Sequence, residues 1–138
     1  MMQQTLPTTD FEQRWVAGLN RGDVSVADEV FAPGCIVHIT GSPVPDLPLD
    51  GFKQMVAGLL AAFPDLRFTI EDQAVSGDKV TTRWTAVGTH TGPLGEVAPT
   101  GRRMRVDGLI LDRVVAGTVV ERWEQWDQVA MLRQLGLL

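Results

Sequence analysis

The apolar residues of this chain change their repeat at Pro64. Before it they recur at helical spacing: Phe11, Trp15, Val16 and Leu19 share one face, and Phe52, Met55, Val56, Leu59, Leu60 and Phe63 share another. After it they alternate. Leu66, Phe68 and Ile70 stand against Arg67, Thr69 and Glu71, the period of a half-buried strand. Helices gathered in the first half, followed by long strands joined by hairpins, predict an α+β fold.

The punctuation between these segments sets their limits. Thr9 and Glu12 have capping-box spacing and start the first helix, which Asn20-Arg21-Gly22-Asp23 ends. A second short helix over residues 24–31 stops before Pro33-Gly34, and residues 35–40 read as a short strand. Residues 41–49 carry Pro43, Pro45 and Pro48, which predicts an irregular loop of the kind found over binding sites. Asp50 is expected to cap the third helix. Strands follow from Leu66, over 80–91, over 102–115 and over 118–126, with turns at Ser76-Gly77-Asp78 and Ala116-Gly117. Residues 128–135 add a helical turn or two. There is no repeat, linker or low-complexity tract, so residues 1–138 are expected to form a single domain.

Charge narrows the partners. A net charge of −5 gives no electrostatic grip on nucleic acid or anionic lipid, and the densest basic cluster, Arg102, Arg103 and Arg105, is followed at once by Asp107. The start of the chain has neither a basic region nor an apolar stretch, and no apolar run reaches the roughly 20 residues that cross a bilayer. With one cysteine, Cys35, inside an apolar run, a buried thiol in a reducing, cytoplasmic compartment is the expectation.

Strand parity locates candidate chemistry, because alternate side chains share a face. On the strand from Val80 the even positions Val80, Thr82, Trp84, Ala86 and Gly88 are the more apolar and should point inward, with His90 continuing them. On the last strand each face mixes apolar and charged residues: Val120, Arg122, Glu124 and Trp126 against Val119, Glu121, Trp123 and Gln125. One carboxylate, Glu124 or Glu121, should therefore lie inside, where desolvation raises its pKa toward the range useful for proton transfer. The competing reading is an Arg122–Glu124 pair on the outer surface. His90, among glycines at a strand end, and His38, beside the proline loop, are each positioned to orient a substrate carbonyl or to hydrogen-bond a loop. No spacing suits a metal, and there is no GxGxxG, Walker-type or GxSxG motif, so the expected chemistry needs no metal or cofactor.

A series of segments in fixed order carries a resemblance. Ala61-Ala62-Phe63-Pro64-Asp65-Leu66-Arg67-Phe68, Gly77-Asp78-Lys79-Val80, Arg83-Trp84-Thr85, Gly88-Thr89-His90-Thr91-Gly92, Pro99-Thr100-Gly101-Arg102, Glu121-Arg122-Trp123 and Leu132-Arg133-Gln134-Leu135-Gly136 together resemble the SnoaL-like polyketide cyclases and ester cyclases of the nuclear-transport-factor-2-like superfamily. The resemblance spans nearly the whole chain. It implies a cone-shaped, cystatin-like α+β barrel, a curved mixed sheet wrapped by the N-terminal helices, and usually a dimer. It also implies cofactor-free intramolecular aldol ring closure with an aspartate on the last strand as acid/base. Counting from Gly117 puts Glu124 at that aspartate's place, one methylene longer. The polar pocket positions of the best-known cyclases fall here on Gly108 and Ile110.

These readings converge on an apolar pocket for a small apolar or aromatic organic molecule. Glu124 and His90 are its expected catalytic residues, and Trp15, His38, Phe63, Trp84, Ile110, Arg122 and Trp126 its substrate-binding residues. Two alternatives share the fold: a binding protein without catalysis, and an epoxide hydrolase of the limonene epoxide hydrolase type. The latter pairs Arg and Asp two apart on a middle strand, where Trp84 and Ala86 align; Arg105-Val106-Asp107 has that spacing on another strand. A homodimer is expected through the convex sheet face, with Val119 and Trp123 exposed on it.

Overall fold

A computed structural model describes residues 10–138, so the predicted Thr9 cap lies outside the described residues. Helix α1 (Asp10–Asn20) leads through a 3-10 turn, Val24–Val26, into the single turn α2 (Ala27–Val30). The Asp23 side chain accepts from Ser25 N and fixes that entry. Strand β1 (Phe31–Ile39) runs straight through Pro33-Gly34 and so begins four residues earlier than the sequence suggests. After it come β2 (Asp46–Pro48), α3 (Leu49–Ala62), β3 (Arg67–Ser76), β4 (Lys79–Thr89), β5 (Arg103–Val115), β6 (Thr118–Trp126) and α4 (Gln128–Gln134).

The six strands form one mixed sheet in the order β2-β1-β6-β5-β4-β3, parallel at β1–β6 and antiparallel elsewhere. The proline loop is not wholly irregular: Asp46, Leu47 and Pro48 pair with His38, Val37 and Ile36 as an edge strand, where a sheet tolerates proline. Nor does Asp50 cap α3, which starts at Leu49 with Pro48 ahead of it and no side-chain cap. The β5–β6 hairpin turns through Ala116 and Gly117, both at positive φ (52° and 78°), the pattern of a type I′ turn.

Helices cover one face of the sheet. Around Trp15, Phe31 and Phe52, with ring centroids 5.4–5.9 Å apart, α1, α3 and β1 close one apolar core. A second core gathers Phe63, Trp84, Ile110, Met131 and Leu135 from α3, β4, β5 and α4. Cys35 is buried in the first core, its thiol pushed up to about 11 by burial. Among the described residues no helix is long and apolar enough to cross a membrane.

Parity on β6 is interrupted. The register with β5 slips between Arg113 and Val114, so Val119 pairs with Val114, Glu121 pairs with Arg113, and Val120 is the extra residue of a bulge. The bulge turns Val119 inward, where it is fully buried, and brings Arg122 onto the same face. Val119 is therefore a core residue, not part of an outer patch. Trp123 (37% exposed) and Leu109 (52%) remain on the outer face.

Candidate active site

Between the two cores lies an interior cavity of about 60 Å³, with room for a handful of waters at the ~10–15 Å³ each requires. Its wall is overwhelmingly apolar, and three methionines (Met55, Met104 and Met131) give it side chains that repack readily around a larger guest. Of the residues read from the sequence, Glu124, Trp15, Phe63, Trp84, Ile110, Arg122 and Trp126 all line it.

Two do not. His38 lies on the opposite face of the sheet, on the β1–β2–β6 side, bonded through Nδ1 to Asp46 and through Nε2 to Glu121, both at 2.7 Å, and stacked on Trp123. Those two hydrogen bonds raise its pKa. His90 is fully buried against Phe63, outside the cavity lining. Its Nδ1 accepts from Thr100 N at 3.1 Å and lies 3.0 Å from Thr100 Oγ1, so the ring pins the loop between β4 and β5. Parity had the direction of His90 right, but the strand ends before the side chain reaches the cavity. Residues 41–49 are likewise absent from the cavity wall, because β2 draws that segment to the sheet edge.

The polar corner of the cavity is built around Arg122. Cross-strand pairing sets Asp112 of β5 directly opposite Arg122 of β6, and Glu124 follows two residues on, facing the same way. Arg122 Nε donates to Asp112 Oδ1 at 2.7 Å and Nη2 to Oδ2 at 3.1 Å, a bidentate pair. Nη2 also donates to Glu12 of α1, and Nη1 lies 3.7 Å from Glu124, too far for a hydrogen bond. The guanidinium sits 4.8 Å over the Phe31 ring. Glu12, Asp112 and Arg122 are buried, and the Glu124 side chain is 12% exposed. The Arg122–Glu124 pair is therefore an interior feature, not a surface one.

Three carboxylates share one guanidinium in an apolar interior, so full ionisation would leave two uncompensated negative charges there. Desolvation resists that. Burial raises all three carboxyls, opposed in each by Arg122. Glu12 is pushed up to about 7, first by burial, with Asp112 and Glu124 adding repulsion. Burial works against the Arg122 charge, but Asp112 and Glu12 outweigh it and hold the guanidinium protonated. The group titrates as a unit that retains a proton toward neutral pH.

Glu12 and Asp112 escaped the sequence reading. Glu12 was accounted for as half of a capping box, whereas its carboxyl is spent on Arg122, 110 residues away. Asp112 carried a usable signal: it is the lone charge among Met104, Val106, Gly108, Ile110 and Val114 on the inward face of β5. Gly108, opposite Trp84, leaves room for the indole, since a Cβ there would meet Trp84 Cζ2 at 2.4 Å. Trp84 Nε1 is buried with no hydrogen-bond partner among the described residues. Trp84 and Ala86 lie on the inward face of β4, and Arg105 and Asp107 of β5 point outward. An arginine between carboxylates is nevertheless present, assembled from α1, β5 and β6.

A cavity in the curved mixed sheet, with a buried carboxylate on its last strand, defines the class. The chain belongs to the SnoaL-like polyketide cyclase family, whose model matches residues 9–135. Among solved structures it is similar to IdmH of Streptomyces antibioticus, a candidate polyketide cyclase (33% identity, TM-score 0.82, covering 93% of this chain and 97% of that one). It is also similar to AclR of Streptomyces galilaeus, a candidate hydroxylase (29%, 0.83, 94% and 84%). A SnoaL-like protein from Jannaschia shares the fold at 20% identity (TM-score 0.84, 100% and 99%). No curated protein matches the chain significantly.

Proposed function

We propose that this chain catalyses proton-transfer chemistry on a small aromatic or apolar organic substrate, an intramolecular aldol-type ring closure or an isomerisation, with Glu124 as general base. The observation that carries the reading is Glu124 itself: a carboxylate on an apolar cavity wall, near Arg122 but not hydrogen-bonded to it. Burial raises its pKa, and a raised pKa makes its carboxylate a stronger base toward a proton alpha to a carbonyl. Trp15, Phe63, Trp84, Ile110 and Trp126 supply the apolar and aromatic surface against which a ring packs. The family, and a relative described as a candidate cyclase, agree with that substrate class.

The test uses 2-acetonaphthone in D2O and follows deuterium entering its methyl group by NMR. Glu124→Gln keeps the shape and removes the base, so exchange should fall by ~10²- to 10⁴-fold while the ketone still binds. Full exchange in Glu124→Gln would end the proposal. Binding without exchange in the wild type would favour a binding protein. The arginine flanked by carboxylates favours one second reading, epoxide hydration, in which one carboxyl protonates the ring oxygen and another activates water. Diol formed from limonene oxide, and lost in Glu124→Gln, would establish it.

We also propose that the chain pairs with a second copy through the outer sheet face, where Trp123, Leu109 and Ile36 stand exposed. A monomeric mass by light scattering at micromolar concentration would refute this.

A further inference from the structure

We propose that Glu12 is a second catalytic carboxyl of the cavity, the acid that gives a proton to the substrate oxygen while Glu124 takes one from carbon. The proposal rests on the acid–base reading above and adds the donor which that reading lacks, since His90, whose Nε2 is buried without a partner among the described residues, lies outside the cavity wall. Glu12 lines the cavity from α1 and is buried. Its carboxyl accepts from Arg122 Nη2, whose other hydrogen goes to Asp112 Oδ2, so two carboxyls converge on one nitrogen. Asp112 has a second bond, from Nε at 2.7 Å, and is the carboxylate that stays charged. Glu12 accepts a single bond and faces two other carboxyls, so a proton on Glu12 removes one of the negative charges gathered there.

The charged and titratable groups facing Glu12 are Asp112 on β5 and Arg122 and Glu124 on β6, with the Cys35 thiol of β1 also within the field of Arg122 and Asp112. Glu124 lies 3.7 Å from Nη1, a nitrogen that neither Asp112 nor Glu12 engages, and with the proton on Glu12 it is the carboxylate left to take one from carbon. Trp84 Nε1 is another buried donor on a residue of the wall, but an indole gives a hydrogen bond without giving up the proton.

The proton inventory closes. In the first half, the substrate C–H bond breaks, its proton goes to Glu124, its electron pair becomes the enol C=C bond, and the carbonyl oxygen takes the proton of Glu12. In the second, the enol carbon bonds to another carbonyl carbon of the same molecule, and that oxygen takes the proton from Glu124. The enol O–H returns its proton to Glu12 as the C=O bond reforms. Both carboxyls end as they began.

The experiment combines the 2-acetonaphthone exchange assay across pH with infrared spectra of the ligand-free protein. Glu12→Gln should slow exchange by ~10²-fold and abolish the alkaline limb of the pH–rate profile, leaving the acid limb set by Glu124. The infrared band of a protonated buried carboxyl at neutral pH should persist in the wild type and in Glu124→Gln, and vanish in Glu12→Gln. Glu12→Asp, which still titrates, should keep the band at a shifted position and retain the alkaline limb. A band that survives in Glu12→Gln, or an alkaline limb unchanged in it, overturns the role of Glu12. Should Glu12→Gln not fold, a band unmoved in Glu12→Asp overturns it equally. No exchange by the wild type, or full exchange in Glu124→Gln, overturns the underlying functional reading instead.

Discussion

Arg122→Met removes the guanidinium and keeps an unbranched side chain of similar reach. The deletion takes away the two bonds to Asp112, the bond to Glu12, the near approach to Glu124 and the stacking on Phe31. Three buried carboxyls are left facing one another. Removing one member of a buried ion pair costs about 3–5 kcal/mol, a large share of the about 5–15 kcal/mol that holds a domain folded. The loss should depend on pH. Each carboxyl has a folded-state pKa raised by burial. Its contribution is therefore present below the unfolded value and lost as pH rises through the folded one, and losing Arg122 raises the folded values further. Urea unfolding followed by tryptophan fluorescence should show the variant closest to wild type at about pH 4 and furthest from it at about pH 8, the range across which carboxyl groups raised this way lose their protons. A deficit that stays below ~1 kcal/mol, or is the same at both ends, would mean that the carboxyls are not coupled through Arg122, and would sink the electrostatic account of the site.

Gly108→Ala places a Cβ 2.4 Å from Trp84 Cζ2 and 2.8 Å from the Gln125 carbonyl. Overpacking of this kind costs about 1–3 kcal/mol, and the share due to the indole should disappear in a Trp84→Ala background while the clash with the Gln125 carbonyl remains; an equal cost in both backgrounds would exonerate the indole. The pKa of His38, raised by its bonds to Asp46 and Glu121, should show as an NMR titration midpoint above the model-peptide value of about 6.5. That midpoint should drop on Asp46→Asn, and no movement would show the bond to be unimportant in solution.

The architecture was legible because its signals are periodic. The change of repeat at Pro64 separates helices from hairpins, and the even-numbered residues of β4 from Val80 to Ala86 point inward without exception. Glu124 could be placed only by the count from Gly117 that the resemblance supplies, since parity leaves both it and Glu121 open. Val119 could not, because the bulge at Val120 reverses the face within two residues, and no composition signal marks it. Pro48 obscured an edge strand, since proline is legible as a breaker but not as an edge residue. The cluster around Arg122 was half visible. Its β6 members follow from strand counting, whereas Glu12 arrives from a helix whose rotation over the sheet is set by packing of Phe11 and Trp15, which no local pattern encodes.

The parallel pairing of β1 with β6 also orders events in time. During synthesis β1 emerges early and finds only the three-residue β2 to pair with; its main partner is the last strand made. Until then its unpaired edge is an open invitation to another chain. Contacts this distant along the chain are slow to form, because the loop between them must close first. The same strand delivers Arg122 to Glu12, so the carboxyl stays hydrated and charged for most of the chain's growth and becomes a buried, proton-holding group only when the sheet closes. A nascent chain stalled before β6 would thus carry α1, α2, α3 and five of the six strands but neither Arg122 nor Glu124.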